Sequence, residues 1–161
     1  MELLIRSVAS EDVAALMELA VLAWEPVFAS FRHILGPEIY PILYPNWRQR
    51  QREAVARVCT DGAGFTVLVA EVDGAAVGFI AYAVDPSERT GEVELLAVHP
   101  NHQNRGIGTA LNAYVLDEMK ARGVQLAVVG TGGDPGHAPA RRSYEKAGYT
   151  GLPLVRYYRA L

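Results

Sequence analysis

The sequence predicts an α/β (α+β) domain with a central mixed, mostly antiparallel sheet of about six to seven strands and helices on both faces. Three observations carry that prediction. Strand-like and helix-like stretches follow in the order strand, helices, hairpin, strand, helix, strand, helix, strand. Asp73-Gly74 joins two apolar runs, a tight hairpin signal. EVELLAVHP (92–100) is nearly all apolar after its acids, as expected of a central strand. A chain of 161 residues, half of them apolar, suits one domain over 1–161 with a single sizeable core.

Leu3, Leu4 and Ile5 begin the first strand. Ser10 is placed to cap a helix, with Glu11 and Asp12 in the first turn, where the helix dipole favours acids. Val13, Leu16, Met17, Ala20, Val21 and Trp24 recur at helical spacing and give one apolar face. Pro26 is expected to end that helix. Pro37, Pro41 and Pro45 then allow only short helical turns through 26–45. Asn46 is the expected cap of a second helix, NWRQRQREAVARVC, with Trp47, Ala54, Val55 and Val58 inward. FTVLVAEV (65–72) and AAVGFIAYAV (75–84) are the hairpin strands. After 92–100 come a glycine-bearing loop and a helix over 107–121, with Ile107, Ala110, Leu111, Tyr114, Val115 and Met119 on one face. Gly123 closes it. VQLAVVG (124–130) is a strand, ARRSYEKAG (140–148) a short helix, and the tail LVRYYRAL alternates enough for a last strand.

Composition limits the function. The net charge of −3 gives no global attraction to nucleic acid. Arg48, Arg50, Arg52 and Arg57 are interrupted by Glu53 and read as the wet face of a helix. Cys59 is the single cysteine, which excludes an internal disulfide and a multi-thiolate metal site and fits a reducing compartment. His99 and His102 lack a third ligand nearby, so no metal is expected. The first residues, MELLIRSVASEDV, are too acidic for a signal peptide, and no apolar run approaches the ~18–20 residues of a membrane span. A cytoplasmic protein with no membrane or nucleic-acid partner is the expectation.

The segment QNRGIGTAL (103–111) carries the first functional signal. The first N–H groups of a helix have no partner inside it, and with the dipole they attract an anion. Gly106 and Gly108 let a phosphate approach, and Arg105 adds positive charge. A dinucleotide fingerprint fails because Leu111 stands where a third small residue is needed. A P-loop fails for want of Gly-Lys-Ser/Thr. On the glycines alone, a plain tightening of the helix start remains open.

LAVHPNHQNRGIGTAL resembles the central motif of the GNAT superfamily of acyl-CoA-dependent N-acetyltransferases, through Leu96, Ala97, Val98, Pro100, Gln103, Gly106 and Gly108. ARRSYEKAGY (140–149) is similar to the family's second motif, through Ala140, Tyr144, Lys146, Gly148 and Tyr149. The resemblance implies a GNAT-like acyl-CoA-binding fold and acetyl-CoA as cosubstrate. Backbone groups of Leu96, Ala97 and Val98 would meet the pantetheine, and Gln103, Asn104, Arg105, Gly106, Ile107, Gly108 and Thr109 would seat the pyrophosphate. Tyr144 would be the general acid. Glu92 falls where several members place a basic glutamate, with Glu94 in reserve and water as the alternative. His137 stands where the family often has Asn, so it and Ala140 are further cofactor contacts. The role of the TGGDPG loop before His137, as acceptor entrance or surface turn, stays open.

The activity so implied is direct acetyl transfer to a primary amine, with no covalent enzyme intermediate. A protein N-terminal or lysine acetyltransferase, or a non-catalytic acyl-CoA sensor, are the alternatives. The aromatic residues of 24–47 would form an acceptor-side cleft or ordinary core, and Glu25 could meet an ammonium group. Nothing selects the acceptor, whether small molecule or peptide. A homodimer paired through the last strand is also left open.

Overall fold

The computed structural model describes residues 2–161. Strands β1 (Leu3–Ser7), β2 (Thr66–Val72), β3 (Ala75–Asp85), β4 (Thr90–Val98) and β5 (Leu126–Val129) form one sheet in that order. The first four run antiparallel and β5 pairs parallel to β4. Asp73 and Gly74 both take positive φ, 52° and 80°, which matches a two-residue turn to the strand twist.

The helices are α1 (Val13–Leu43), α2 (Trp47–Val58), α3 (Ile107–Ala121) and α4 (Ala138–Lys146). Each sheet face carries its own core. On one face Ile107, Leu111, Val115 and Met119, four apart along α3, pack on Leu68, Ile80, Tyr82 and Val93. Gly91 makes that approach possible, since a Cβ there would sit 2.8 Å from Met119 Sδ. On the other face Leu16, Leu19 and Ala20 of α1 and Val55 and Val58 of α2 cover Val67, Val69, Phe79 and Ala81.

Several expectations are corrected. The sheet has five strands, so the predicted six to seven is too many. LVRYYRAL forms no strand, and Leu152, Leu154, Val155 and Tyr157 are all exposed. Alternation records a propensity, but a strand also needs a partner edge, and the tail pairs with none among the described residues. Pro26 does not end α1. It lies on the wet side, four residues after exposed Leu22, so the missing backbone bond falls where water can replace it. The break comes instead at Gly36, φ 74° and ψ 179°, from which Pro37 starts a second helical segment.

Because α1 runs on, the helical stretch Ser10–Leu43 is long and apolar enough to cross a membrane by length and composition alone, contrary to expectation. It is nevertheless tied sideways into the domain. Glu18 pairs with Arg52 and Glu25 with Arg48. Ser10 makes no capping bond.

Asp12, which is 8% exposed, caps no N–H of α1 either and instead ties the helix start to β1. Its carboxylate accepts the Ala9 N–H at 2.7 Å and a forked pair from Arg6 at 2.7 and 3.0 Å. Arg6 also donates to Glu71 at 2.6 Å. The Arg6 guanidinium, against the opposing effect of burial and helped by the Ala9 N–H, holds the Asp12 carboxyl below its ordinary range. That contribution to stability is present above about pH 4 and fades as pH falls through the lowered folded value. Asp12→Asn should therefore cost about 1.5–3 kcal/mol at pH 7, typical of a hydrogen bond to a charged group. In urea unfolding the gap to the unsubstituted protein should narrow at pH 3.

Candidate active site

The site begins with a bulge in β4. Val93 pairs with Tyr82 and Leu95 with Ala81, so Glu94 is an extra residue. Strand β5 follows β4 only from Thr90 to Val93. Beyond the bulge the outer edge of β4 is therefore unpaired. The His99 N–H donates to Val77 O at 2.8 Å on the β3 side. By alternation, the backbone groups of Leu96 and Val98 face the open side. The Gln103 amide donates to Val98 O at 3.0 Å, which leaves the Leu96 groups and the Val98 N–H free of that partner.

The chain then turns into α3 through Asn104 (φ 61°) and Gly106 (φ 81°). The Ala110 N–H closes on Gly106 O at 2.9 Å, while the N–H groups of Ile107, Gly108 and Thr109 have no helical partner. Left-handed residues ahead of a helix turn N–H groups toward one point, an anion seat. Gly106 is required by its φ. At Gly108 a Cβ would meet only Val98 Cγ2 at 3.9 Å and Ser143 Oγ at 4.0 Å, so protein crowding does not demand glycine there. The Ile107 side chain is core, so only its backbone is available to a ligand.

Beside the open edge lies a cavity of about 400 Å³ between α1, β4, the loop after β5 and α4. Leu96, Ala97, Val98, Gln103, His137, Ala140 and Tyr144 all line it. Glu94 lines it too and pairs with Arg57 of α2 at 3.0 Å. Glu92 is exposed on β4 and does not line the cavity. Asn104, Arg105 and Thr109 are exposed at the start of α3. Burial, and to a lesser degree Tyr149 edge-on at 5.8 Å, push the Tyr144 hydroxyl up to about 12. It therefore stays protonated through neutral pH.

The loop after β5 is the part that sequence reasoning left unread. His137 Nδ1 is hydrogen-bonded to Asp134 Oδ1. Asp134 Oδ2 accepts from Ser30 Oγ at 2.6 Å and from the Gly136 N–H at 3.0 Å. Burial raises the Asp134 carboxyl, but the bonds from Ser30 and His137 outweigh it and hold it below its ordinary value. The two glycines permit this packing. A Cβ at Gly132 would fall on Asp134 Oδ1 and His137 Nδ1, and one at Gly136 would sit 2.8 Å from Ser30 Cβ. Arg141 donates to the carbonyls of Gly132 and Asp134, both at 2.7 Å, so it braces the loop. The spacing Asp-x-x-His was visible in the sequence, whereas nothing local marked Ser30.

The aromatic residues form a self-packed wall. Phe28 stacks on Trp47 at 4.2 Å, Phe31 on Tyr44 at 5.4 Å, and Phe31 meets the His137 ring at 5.5 Å. Glu25 is engaged by Arg48.

Residues 28–149 match the family model described as the acetyltransferase (GNAT) family. A mycothiol acetyltransferase of Sanguibacter keddieii is 37% identical over 111 residues, 64% of this chain and 34% of that protein. An L-2,4-diaminobutyric acid acetyltransferase of Nocardia farcinica is 49% identical over 67 residues, 41% of this chain and 34% of that one. The chain thus spans about a third of the length of these curated relatives. Among solved structures, one assigned to GNAT-family acetyltransferases, from Desulfovibrio desulfuricans, superposes with a TM-score of 0.73 at 26% identity, covering 99% of this chain and 92% of that one. The match over 28–149 includes the β4 edge, the α3 seat and the Tyr144 helix, and the chain belongs to the acetyltransferase (GNAT) family.

Proposed function

We propose that the protein transfers the acetyl group of acetyl-CoA to a primary amine by direct attack. The observation that carries this reading is the unpaired β4 edge opening into the same cavity as Tyr144, with the bare helix start of α3 beside it. An extended pantetheine arm would add to the Leu96–Val98 edge as a strand does. Its pyrophosphate would rest on the N–H groups from Gly106 to Thr109, with Gln103 fixing the strand and Arg105 adding charge. His137 and Ala140 would flank the arm.

The amine lone pair attacks the thioester carbonyl, a C–N bond forms, and the C–S bond breaks with its electron pair on sulfur. Tyr144 supplies the proton that sulfur needs. No cysteine lines the cavity, which favours direct attack over a covalent enzyme intermediate. Of the two β4 carboxylates, Glu92 would reach the amine only through water. Glu94 is at the wall, but Arg57 already holds it.

The test is a panel of amines offered with acetyl-CoA: amino acids including 2,4-diaminobutyric acid, polyamines, amino sugars and peptide N-termini. Release of free CoA thiol should appear with at least one class. If none releases thiol while acetyl-CoA still binds tightly, the enzyme reading fails and a sensing domain replaces it.

A further inference from the structure

We infer that His137 is the general base that takes the acceptor's proton, and that Asp134, locked by Ser30, positions it. The inference rests on the acetyltransfer reading and adds to it the group that makes the amine nucleophilic.

The argument starts from Asp134. Its carboxylate accepts from Ser30, from the Gly136 N–H and from His137, so it is an acceptor at every contact. An ionised carboxylate has no proton to give. The neutral imidazole must therefore carry its proton on Nδ1 and leave Nε2 as a bare acceptor. His137 lines the cavity, and Nε2 has no hydrogen bond among the described residues and is not sealed from solvent. A buried carboxylate that fixes the tautomer and orientation of an imidazole is the arrangement that makes histidine an effective base. The Phe31 ring limits its swing from the α1 side. By contrast Glu94, the one carboxylate at the cavity wall, is already paired with a guanidinium.

The charged and titratable groups around the ring are few. Asp134 faces Nδ1 from the same loop. Arg141 and Tyr144 come from α4, with Arg141 committed to backbone carbonyls. Tyr44 packs behind Phe31, within range of Asp134, Arg156 and Tyr158. Glu94 faces across the cavity from β4.

The protons balance. An ammonium acceptor gives one proton to His137 Nε2 and becomes the free amine, and the imidazolium passes that proton to water. After attack the nitrogen gives up a second proton. One proton goes through Tyr144 to the departing thiolate, so the products are amide, free thiol and one released proton.

The experiment compares His137→Gln and Asp134→Asn with the unsubstituted enzyme, using an amine that it acetylates. His137→Gln should lower kcat by about 10²-fold or more, a loss that saturating acetyl-CoA does not restore. It should also leave kcat/KM for the amine following the amine's own ionisation, because only acceptor that is already neutral can then react. Asp134→Asn should lower kcat in the same direction and shift the acidic limb of kcat/KM, because the amide can donate to Nδ1 and drive the proton to Nε2.

Full activity with an unchanged pH profile in His137→Gln would place the base elsewhere. A rise in KM for acetyl-CoA with kcat preserved would make His137 a cofactor contact only and overturn the inference. ¹⁵N imidazole shifts give a readout that needs no turnover: Nδ1–H in the native protein and Nε2–H in Asp134→Asn. An Nε2–H tautomer in the native protein would sink the proposal. If instead no amine is turned over but the native tautomer is Nδ1–H, the acetyltransfer reading fails while the imidazole geometry stands.

Discussion

Tyr144→Phe is expected to lower kcat by about 10²-fold, with KM for acetyl-CoA little changed. The substitution removes one oxygen and keeps the ring, so the packing against Tyr149 survives. The lost group is a hydroxyl that burial has pushed up to about 12. Such a phenol is fully protonated at pH 7 and a weak acid toward water, but the departing thiolate in a shielded cavity is a better proton acceptor than bulk solvent. Because the folded value is raised, the proton is retained as pH climbs well past neutrality, and loss of this acid does not limit activity below about pH 11. Steady-state thiol release checks the prediction. The loss should shrink with acyl donors whose leaving thiols are more acidic, because these depart without a proton. Equal loss for all donors would give Tyr144 a purely structural role.

The second large effect concerns binding. Gly106→Val should weaken CoA binding by at least about 100-fold, roughly 2.8 kcal/mol, as read by calorimetry. Gly106 has φ 81°, where a β-branched residue is a steric outlier. The chain would relieve that strain by turning the peptide ahead of α3, which rotates the N–H groups away from their common point. Gly108→Ala provides the contrast. Position 108 is helical, and a Cβ meets nothing closer than 3.9 Å. Replacing glycine inside a helix favours the folded chain by roughly 0.5–1 kcal/mol. Gly108→Ala should therefore raise Tm slightly and change CoA binding far less than Gly106→Val does, because the N–H directions at the helix start are kept. Equal losses of CoA binding in the two variants would overturn this account of the seat.

Much of this was legible because local pattern and global fold agree. The stripe at 107, 111, 115 and 119 follows from helical spacing and faces the core as read. Strand β4 and the helix start after it follow from apolar residues, glycines and one break in hydrophobicity. Errors arose where the deciding partner was distant. Pro26 reads as a stop, but its cost depends on which side of α1 faces water. The tail reads as a strand, but pairing depends on an edge that alternation cannot supply. Glu92 and Glu94 share a face in a regular strand, yet the bulge separates them and leaves only Glu94 at the cavity. Ser30 carries no local signal at all, because its partner lies 104 positions away.

That separation has a consequence for how the working molecule comes into being. The hairpin of β2 and β3 and the contacts of α3 close short loops, which form early and cheaply in entropy. The Ser30–Asp134 bond closes a loop of most of the chain, and it needs α1 already docked on the sheet. The orientation of the imidazole is therefore tied to contacts that span more than a hundred positions. A chain with a finished sheet and an undocked α1 has the anion seat and the strand edge but no aligned histidine. If His137 is the base, undocking of α1 should abolish turnover even where the sheet stays intact.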